Sequence, residues 1–172
     1  MEENNKIKTR KQLRIKEYDY SNEGYYYITI CTKNKIKILS KIQKGSVKTE
    51  PYIELETIGK IVEQNLLKIE EYFETIKIHD YIIMPNHIHL VIEKRKKYIK
   101  NNVGFGLDQT DNKINISNVI GLFKSGVSRK IGYSIWQKSF YEHIIRNEKE
   151  YIKIKEYIKN NPIKWENDEY NL

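Results

Sequence analysis

From Tyr81 to Ile92 the chain reads Tyr-Ile-Ile-Met-Pro-Asn-His-Ile-His-Leu-Val-Ile, two apolar, β-favouring runs joined through Met84-Pro85-Asn86. Proline presets its own backbone angle and asparagine tolerates turn geometry, so this stretch predicts a strand, a tight turn and a second strand. Side chains alternate along a strand. Ile88, Leu90 and Ile92 therefore face a core, and His87 and His89 stand side by side on the other face. Two imidazoles so placed supply two of the donors a metal site needs. The same spacing suits an exposed cross-strand pair, and the residues alone leave both readings open. Two facts favour the site: the chain has only four histidines, of which two are here, and they follow a turn, where functional groups are often placed.

The rest of the chain supplies what such a hairpin packs on. Tyr25 to Thr32 is β-branched and aromatic and reads as a central strand. Lys33-Asn34-Lys35 turns the chain, and Ile36–Leu39 with Val47–Ile53 around Gly45-Ser46 reads as an accessory hairpin. Leu55 to Tyr72 carries Ile58, Ile61, Val62, Leu66 and Ile69 at helical spacing, with Phe73 continuing the stripe. Thr75 to Ile83 and His87 to Glu93 are the hairpin strands, and His79 in the first reads as structural. Ile116 to Lys130 predicts a second helix, buried through Ile116, Ile120, Phe123 and Val127. Ile135 to Ile145 reads as a strand. A last helix runs from about Glu148 to Asn160, capped by Asn147 with Glu150 three residues on and ended by Pro162. The order β-α-β-β-α-β-α predicts an α+β, ferredoxin-like sandwich: an antiparallel sheet with helices packed on one face, plus a C-terminal helix.

On that last helix Tyr151, Ile154 and Ile158 form the apolar stripe. Tyr157 and Asn161, four residues apart on its flank, project toward one place. By itself Tyr157 reads as a boundary tyrosine with its ring in the core and its hydroxyl in water.

At 172 residues the chain fits one domain, residues 21–172, behind a basic arm at 1–20 that either touches a polyanion or is a solvated tail. No apolar run approaches the roughly 20 residues of a membrane span, and the polar amino terminus lacks a signal-peptide stretch. The single cysteine, Cys31, reads as a buried thiol. Together these point to the cytoplasm and away from membranes. A net charge of +8 favours a polyanionic partner. Lys94-Arg95-Lys96-Lys97, directly after the histidine strand, reads as a phosphate-contacting loop, with solvated surface as the alternative. Fourteen tyrosines mean that none can be chosen as catalytic by count.

Met84-Pro85-Asn86-His87-Ile88-His89-Leu90 resembles the histidine–hydrophobic–histidine (HUH) motif of single-tyrosine transposases, most closely the REP-associated tyrosine transposase group. Ile135–Asn147, with its Tyr141-Glu142-His143 core, Ile120–Ser125, Tyr157–Lys164 and the opening Gly24–Thr32 resemble the same group in the same order. The resemblance runs from about residue 20 to about 165. It independently implies the ferredoxin-like fold and makes 21–172 a single HUH transposase-like domain.

The resemblance implies metal-dependent cleavage and strand transfer of single-stranded DNA through a covalent 5′-phosphotyrosine. Tyr157 matches the family nucleophile in its Tyr-Ile-x-x-Asn-Pro block, and Tyr151 and Tyr141 do not. His87 and His89 would hold Mg²⁺ or Mn²⁺. Helix register favours Asn161 as third ligand, where related enzymes can carry Gln, since an amide oxygen suits a hard ion. His143 competes for that place, as ligand, base or phosphate contact, and its role stays open. The implied partner is single-stranded DNA with hairpin or inverted-repeat structure; related enzymes include both homodimers and monomers. Trp136 and Trp165 read as packing residues. Two other functions fit the same residues: a host-domesticated hairpin-binding protein without cleavage, and a phosphoesterase that uses the histidines without a covalent tyrosine.

Overall fold

The computed structural model describes residues 22–45, 50–96 and 114–171. In chain order its elements are β1 (Gly24–Cys31), β2 (Ser40–Gln43), β3 (Tyr52–Leu55), α1 (Thr57–Leu67), α2 (Ile69–Tyr72), β4 (Ile76–Ile83), β5 (His87–Lys94), α3 (Ile116–Ile131), β6 (Tyr141–Ile145) and α4 (Glu148–Lys164). Short 3₁₀ turns follow β1 and α4. The fold is α+β. Four strands form one antiparallel sheet in the order β4-β5-β1-β6, and β2 pairs with β3 in a separate hairpin.

The sheet has two working faces. Tyr26, Ile28 and Ile30 of β1 and Ile88, Leu90 and Ile92 of β5 point to one side. There they meet Val62 and Leu66 of α1 and Ile120, Phe123 and Val127 of α3 in the main core. On the other side α4 lays Ile158 and Ile154 against Val91 and Ile145, with Tyr25 and Tyr27 beside them. Thus α1 and α3 cover one face and α4 the other. In β4 the ladder slips between Ile78 and Asp80, a bulge at His79. It switches the core-facing positions from Ile76 and Ile78 to Tyr81 and Ile83.

Local chemistry explains the helix ends. Asn115 caps α3 by accepting from the Asn118 N–H at 2.9 Å, and Gly132 ends it at φ 92°, a left-handed angle that favours glycine. Asn147 caps α4 by accepting from the Glu150 N–H at 2.9 Å. The Glu150 carboxylate reaches back to the Arg146 N–H at 2.8 Å, one residue earlier than a standard capping box.

Several boundaries differ from the sequence expectation. Leu55 belongs to β3, and the expected single helix to Tyr72 breaks at Lys68 into α1 and α2. Ile36–Leu39 is not a strand; its place is taken by Ser40–Gln43. The expected strand from Ile135 is reduced to β6. Trp136 makes one bridge with Thr32, and the Lys124 ammonium then draws the carbonyls of Gln137 and Lys138, which a ladder would otherwise use. Pro162 does not end α4, which continues to Lys164. In a last turn a proline removes one helical bond where few remain to be lost. The Ser46 and Val47 part of the accessory hairpin, the arm at 1–20 and Lys97 lie outside the described residues.

Candidate active site

Alternation along β5 puts His87 and His89 on the α4 face, where both are buried. Cys31 stands opposite His87, and Thr29 opposite His89. The two Nε2 atoms are 3.0 Å apart. Each ring is held from behind. Nδ1 of His87 lies 2.8 Å from Oδ1 of Asn86. Nδ1 of His89 lies 2.7 Å from the Tyr27 hydroxyl and 2.9 Å from the Thr29 hydroxyl. Burial pushes the His87 pKa down to about 3, helped by the nearby Lys35 cation. Burial, and then His87, hold His89 well below its ordinary value. Both rings are therefore neutral, the state in which imidazole binds a cation.

From the opposite side α4 brings Tyr157. Its hydroxyl lies 3.5 Å from Nε2 of His89, and its ring meets that imidazole edge-on at 5.2 Å between centroids. Ile154 and Ile158 seat the helix, leaving Tyr157 36% exposed, so the phenol is anchored yet reachable. One turn on, Asn161 is 1% exposed, and among the described residues neither its oxygen nor its nitrogen makes a hydrogen bond of good geometry, although its amide lies near the Tyr157 hydroxyl. A buried amide with both ends unmet is expensive and asks for a partner. Burial, and then Asp168, raise the Tyr157 pKa, while the Asn161 amide pulls the other way.

Tyr151 is half-buried and turned elsewhere. Its hydroxyl donates to Asp80 at 2.9 Å, and its ring packs on Tyr25 and His79. Burial, helped by Asp80, pushes its pKa up to about 12. His79 is bound to Glu93 at 2.8 Å, a structural pairing as expected.

A cleft of about 670 Å³ opens beside Tyr157 and His89, walled also by Tyr141, His143, Lys153 and Tyr170. His143 thus shares the cleft with the tyrosine, but its Nε2 is tied to Glu150 at 2.6 Å. The Arg146 N–H and then His143 hold the Glu150 carboxylate below the usual range.

No family model matches the chain. An uncharacterized protein of Haemophilus influenzae is 37% identical over 175 residues, spanning 95% of this chain and 93% of its own length. A second protein of that organism, provisionally named a REP-associated tyrosine transposase, is 26% identical over 147 residues, 85% of this chain and 74% of its own. A solved REP-associated tyrosine transposase bound to a REP hairpin superposes with a TM-score of 0.55 at 21% identity, covering 88% of this chain and 74% of that one.

By sequence and by fold the chain is a distant homologue of REP-associated tyrosine transposases.

Among the described residues, no three His, Cys, Asp or Glu side chains cluster closely enough to hold a metal ion. From the described residues, a two-histidine site would be completed by another residue type. The buried Asn161 amide on the tyrosine's own helix carries a hard oxygen donor, which with the two neutral imidazoles is chemistry that suits a divalent ion.

The described part of the basic run lies at the far end of β5 from His87. Lys94 is seven residues along β5 from His87, roughly 23 Å at strand rise, and it is buried at 4% exposure. Arg95 is paired with Glu93 at 2.7 Å, and Lys96 lies 3.7 Å from Glu23. Lys35, which the sequence reading treated only as part of a turn, lies near enough to His87 to help depress its pKa. Lys35 sits at a left-handed φ of 53°, with its ammonium over the Tyr170 ring and bonded to the Glu169 carbonyl at 2.9 Å. Trp165 is not a core residue: it flanks His87 at 6.0 Å between ring centroids. Tyr170 approaches His87 to 4.5 Å. Nothing in the spacing of residues 165–171 announces that they fold back onto the site.

Proposed function

We propose that this protein nicks and rejoins single-stranded DNA carrying a hairpin, with Tyr157 as nucleophile. The observation that carries the reading is the Tyr157 hydroxyl at 3.5 Å from Nε2 of His89, beside two imidazole nitrogens 3.0 Å apart. His87, His89 and Asn161 would hold Mg²⁺ or Mn²⁺. Bound there, the ion would polarise the scissile phosphate and favour the phenolate. A phenol ionises near pH 10 in water, and burial raises Tyr157 further, so the tyrosine needs a cation beside it to react. In the step itself the tyrosine oxygen bonds to phosphorus and its proton leaves to water. The bond from phosphorus to the preceding 3′-oxygen breaks, and that oxygen takes up a proton to become a free hydroxyl. Attack by a 3′-hydroxyl on the phosphotyrosine reverses the chemistry and gives strand transfer.

The sheet order and the helix pairing on one face support the ferredoxin-like reading of a single domain. The cleft beside Tyr157 offers aromatic rings and Lys153 to an unpaired strand. Arg95 and Lys96 suit a backbone contact some distance from the reacting phosphate, such as a hairpin stem.

The test is covalent trapping on hairpin oligonucleotides drawn from the repeats flanking the gene, in Mn²⁺. The unaltered protein forms an adduct whose digest carries a 5′-phosphate on Tyr157. Tyr157→Phe forms none, and Tyr151→Phe still does. An adduct persisting in Tyr157→Phe moves the nucleophile to another residue. Tight hairpin binding with no adduct from the unaltered protein favours the non-cleaving binding protein.

A further inference from the structure

Asn86, between the turn proline and the first histidine, is fully buried and engages three separate parts of the chain. Its Nδ2 donates to the Lys35 carbonyl at 3.2 Å and to the Tyr170 carbonyl at 2.7 Å. Its Oδ1 faces Nδ1 of His87 at 2.8 Å. An amide has one donor end and one acceptor end. Two carbonyl oxygens can be met only by the donor end, so the orientation of the Asn86 amide is fixed. The acceptor end is thereby turned to His87, and an acceptor can be met only by N–H. His87 must then carry its proton on Nδ1, leaving Nε2 with a bare lone pair.

His89 is held differently. Its Nδ1 meets two hydroxyls, those of Tyr27 and Thr29. A hydroxyl both donates and accepts, so this pair accommodates either tautomer. With Nε2 of His87 bare, the 3.0 Å contact between the two rings is satisfied when His89 carries its proton on Nε2. The two histidines of the motif are not equivalent: one is locked and the other is adjustable.

We propose that Asn86 is a positioning residue that locks His87 in the Nδ1-protonated tautomer and so fixes a lone pair toward the point shared with His89 and Tyr157. The inference rests on the metal reading above and assigns its geometry to a residue outside the ligand set. Lys35 and Tyr170 act through the same amide: their carbonyls hold the donor end and thereby set the acceptor end.

The experiment is ¹⁵N NMR of the histidine rings in the metal-free protein, alongside Mn²⁺ titration. Unaltered protein shows His87 protonated on Nδ1 alone. Asn86→Ala removes the acceptor; His87 then samples both tautomers, and Mn²⁺ affinity falls about 10- to 100-fold, as for other residues that orient a metal ligand. Asn86→Asp keeps an acceptor toward Nδ1, so it retains the tautomer and Mn²⁺ affinity within a few-fold, even though its second oxygen now faces the Tyr170 carbonyl. Protonation of His87 on Nε2 in the unaltered protein overturns the proposal without any variant. So does an Asn86→Asp protein that loses Mn²⁺ affinity as far as Asn86→Ala. The failure of the metal reading looks different: no Mn²⁺ binding by unaltered protein whose His87 is Nδ1-protonated.

Discussion

Three glycines lie in the two helices that cover the core face, and changing each to alanine separates close approach from helix propensity. A Cβ on Gly59 of α1 would fall inside the van der Waals surface of the Leu39 carbonyl oxygen and 2.9 Å from its carbonyl carbon. That carbonyl cannot easily step aside. It accepts from the Glu56 N–H at 3.0 Å, while the Leu39 N–H donates to Pro85 at 2.9 Å. Overpacking at such a site costs about 1–3 kcal/mol, and straining a buried hydrogen bond adds about 1 kcal/mol. The gain from placing alanine in a helix returns about 1 kcal/mol. The net loss is about 2 kcal/mol, or roughly 4–8 °C in Tm for a chain of this size. Gly121 of α3 has nothing within 4 Å of its virtual Cβ, so Gly121→Ala gains about 1 kcal/mol and melts roughly 2–4 °C higher. Gly126 meets only the Asn65 amide oxygen at 3.4 Å, ordinary contact, and follows Gly121. Because Leu39 grips Pro85, next to Asn86 and His87, Gly59→Ala also weakens Mn²⁺ binding, while Gly121→Ala does not. Thermal unfolding with and without Mn²⁺ reads both effects. A Gly59→Ala protein that melts at or above the unaltered Tm would refute the close-approach argument.

The other predictions concern charge and the second helix tyrosine. Changing Arg95 and Lys96 together to Gln lowers the slope of log affinity against log salt by about 1.4–1.8, two phosphate contacts' worth, on a hairpin oligonucleotide; an unchanged slope returns both to solvated surface. Adduct formation at saturating DNA stays intact in that variant, because the pair is far from Tyr157. Tyr151→Phe loses its bond to Asp80 and about 1 kcal/mol, read as a Tm roughly 2–4 °C lower. An unchanged Tm shows that water replaces the bond at no net cost.

The sequence made the face of the candidate site legible because two periodicities carried it. The period of two along β5 separated His87 and His89 from Ile88 and Leu90, and the four-residue step on α4 brought Tyr157 and Asn161 to one flank. The cap at Asn147 was readable for the same reason, since its partners are three residues apart. What escaped depends on long-range encounters. The interruption before β6 needs Lys124 to reach carbonyls more than a dozen residues away. The role of Asn86 needs Lys35 and Tyr170, 51 and 84 residues distant in the chain. Trp165 looked like packing because composition does not say that the chain after α4 turns back over His87. How far the basic run lies from His87 was likewise not readable: Lys94 follows the histidines by a few residues, yet it ends the strand that His87 begins.

The alternation of β5 also limits how this gene can change length. Inserting or deleting one residue between Met84 and His87 would exchange the two faces, sending both imidazoles into the oily side and isoleucines toward the cleft. A two-residue change would keep the faces but slide the histidines by about 6.7 Å, beyond reach of the Tyr157 hydroxyl. The length of Met84-Pro85-Asn86 is therefore as much a part of the candidate site as the side chains it positions. Natural variation in this hairpin should take the form of substitutions, with gains and losses of residues confined to other connections.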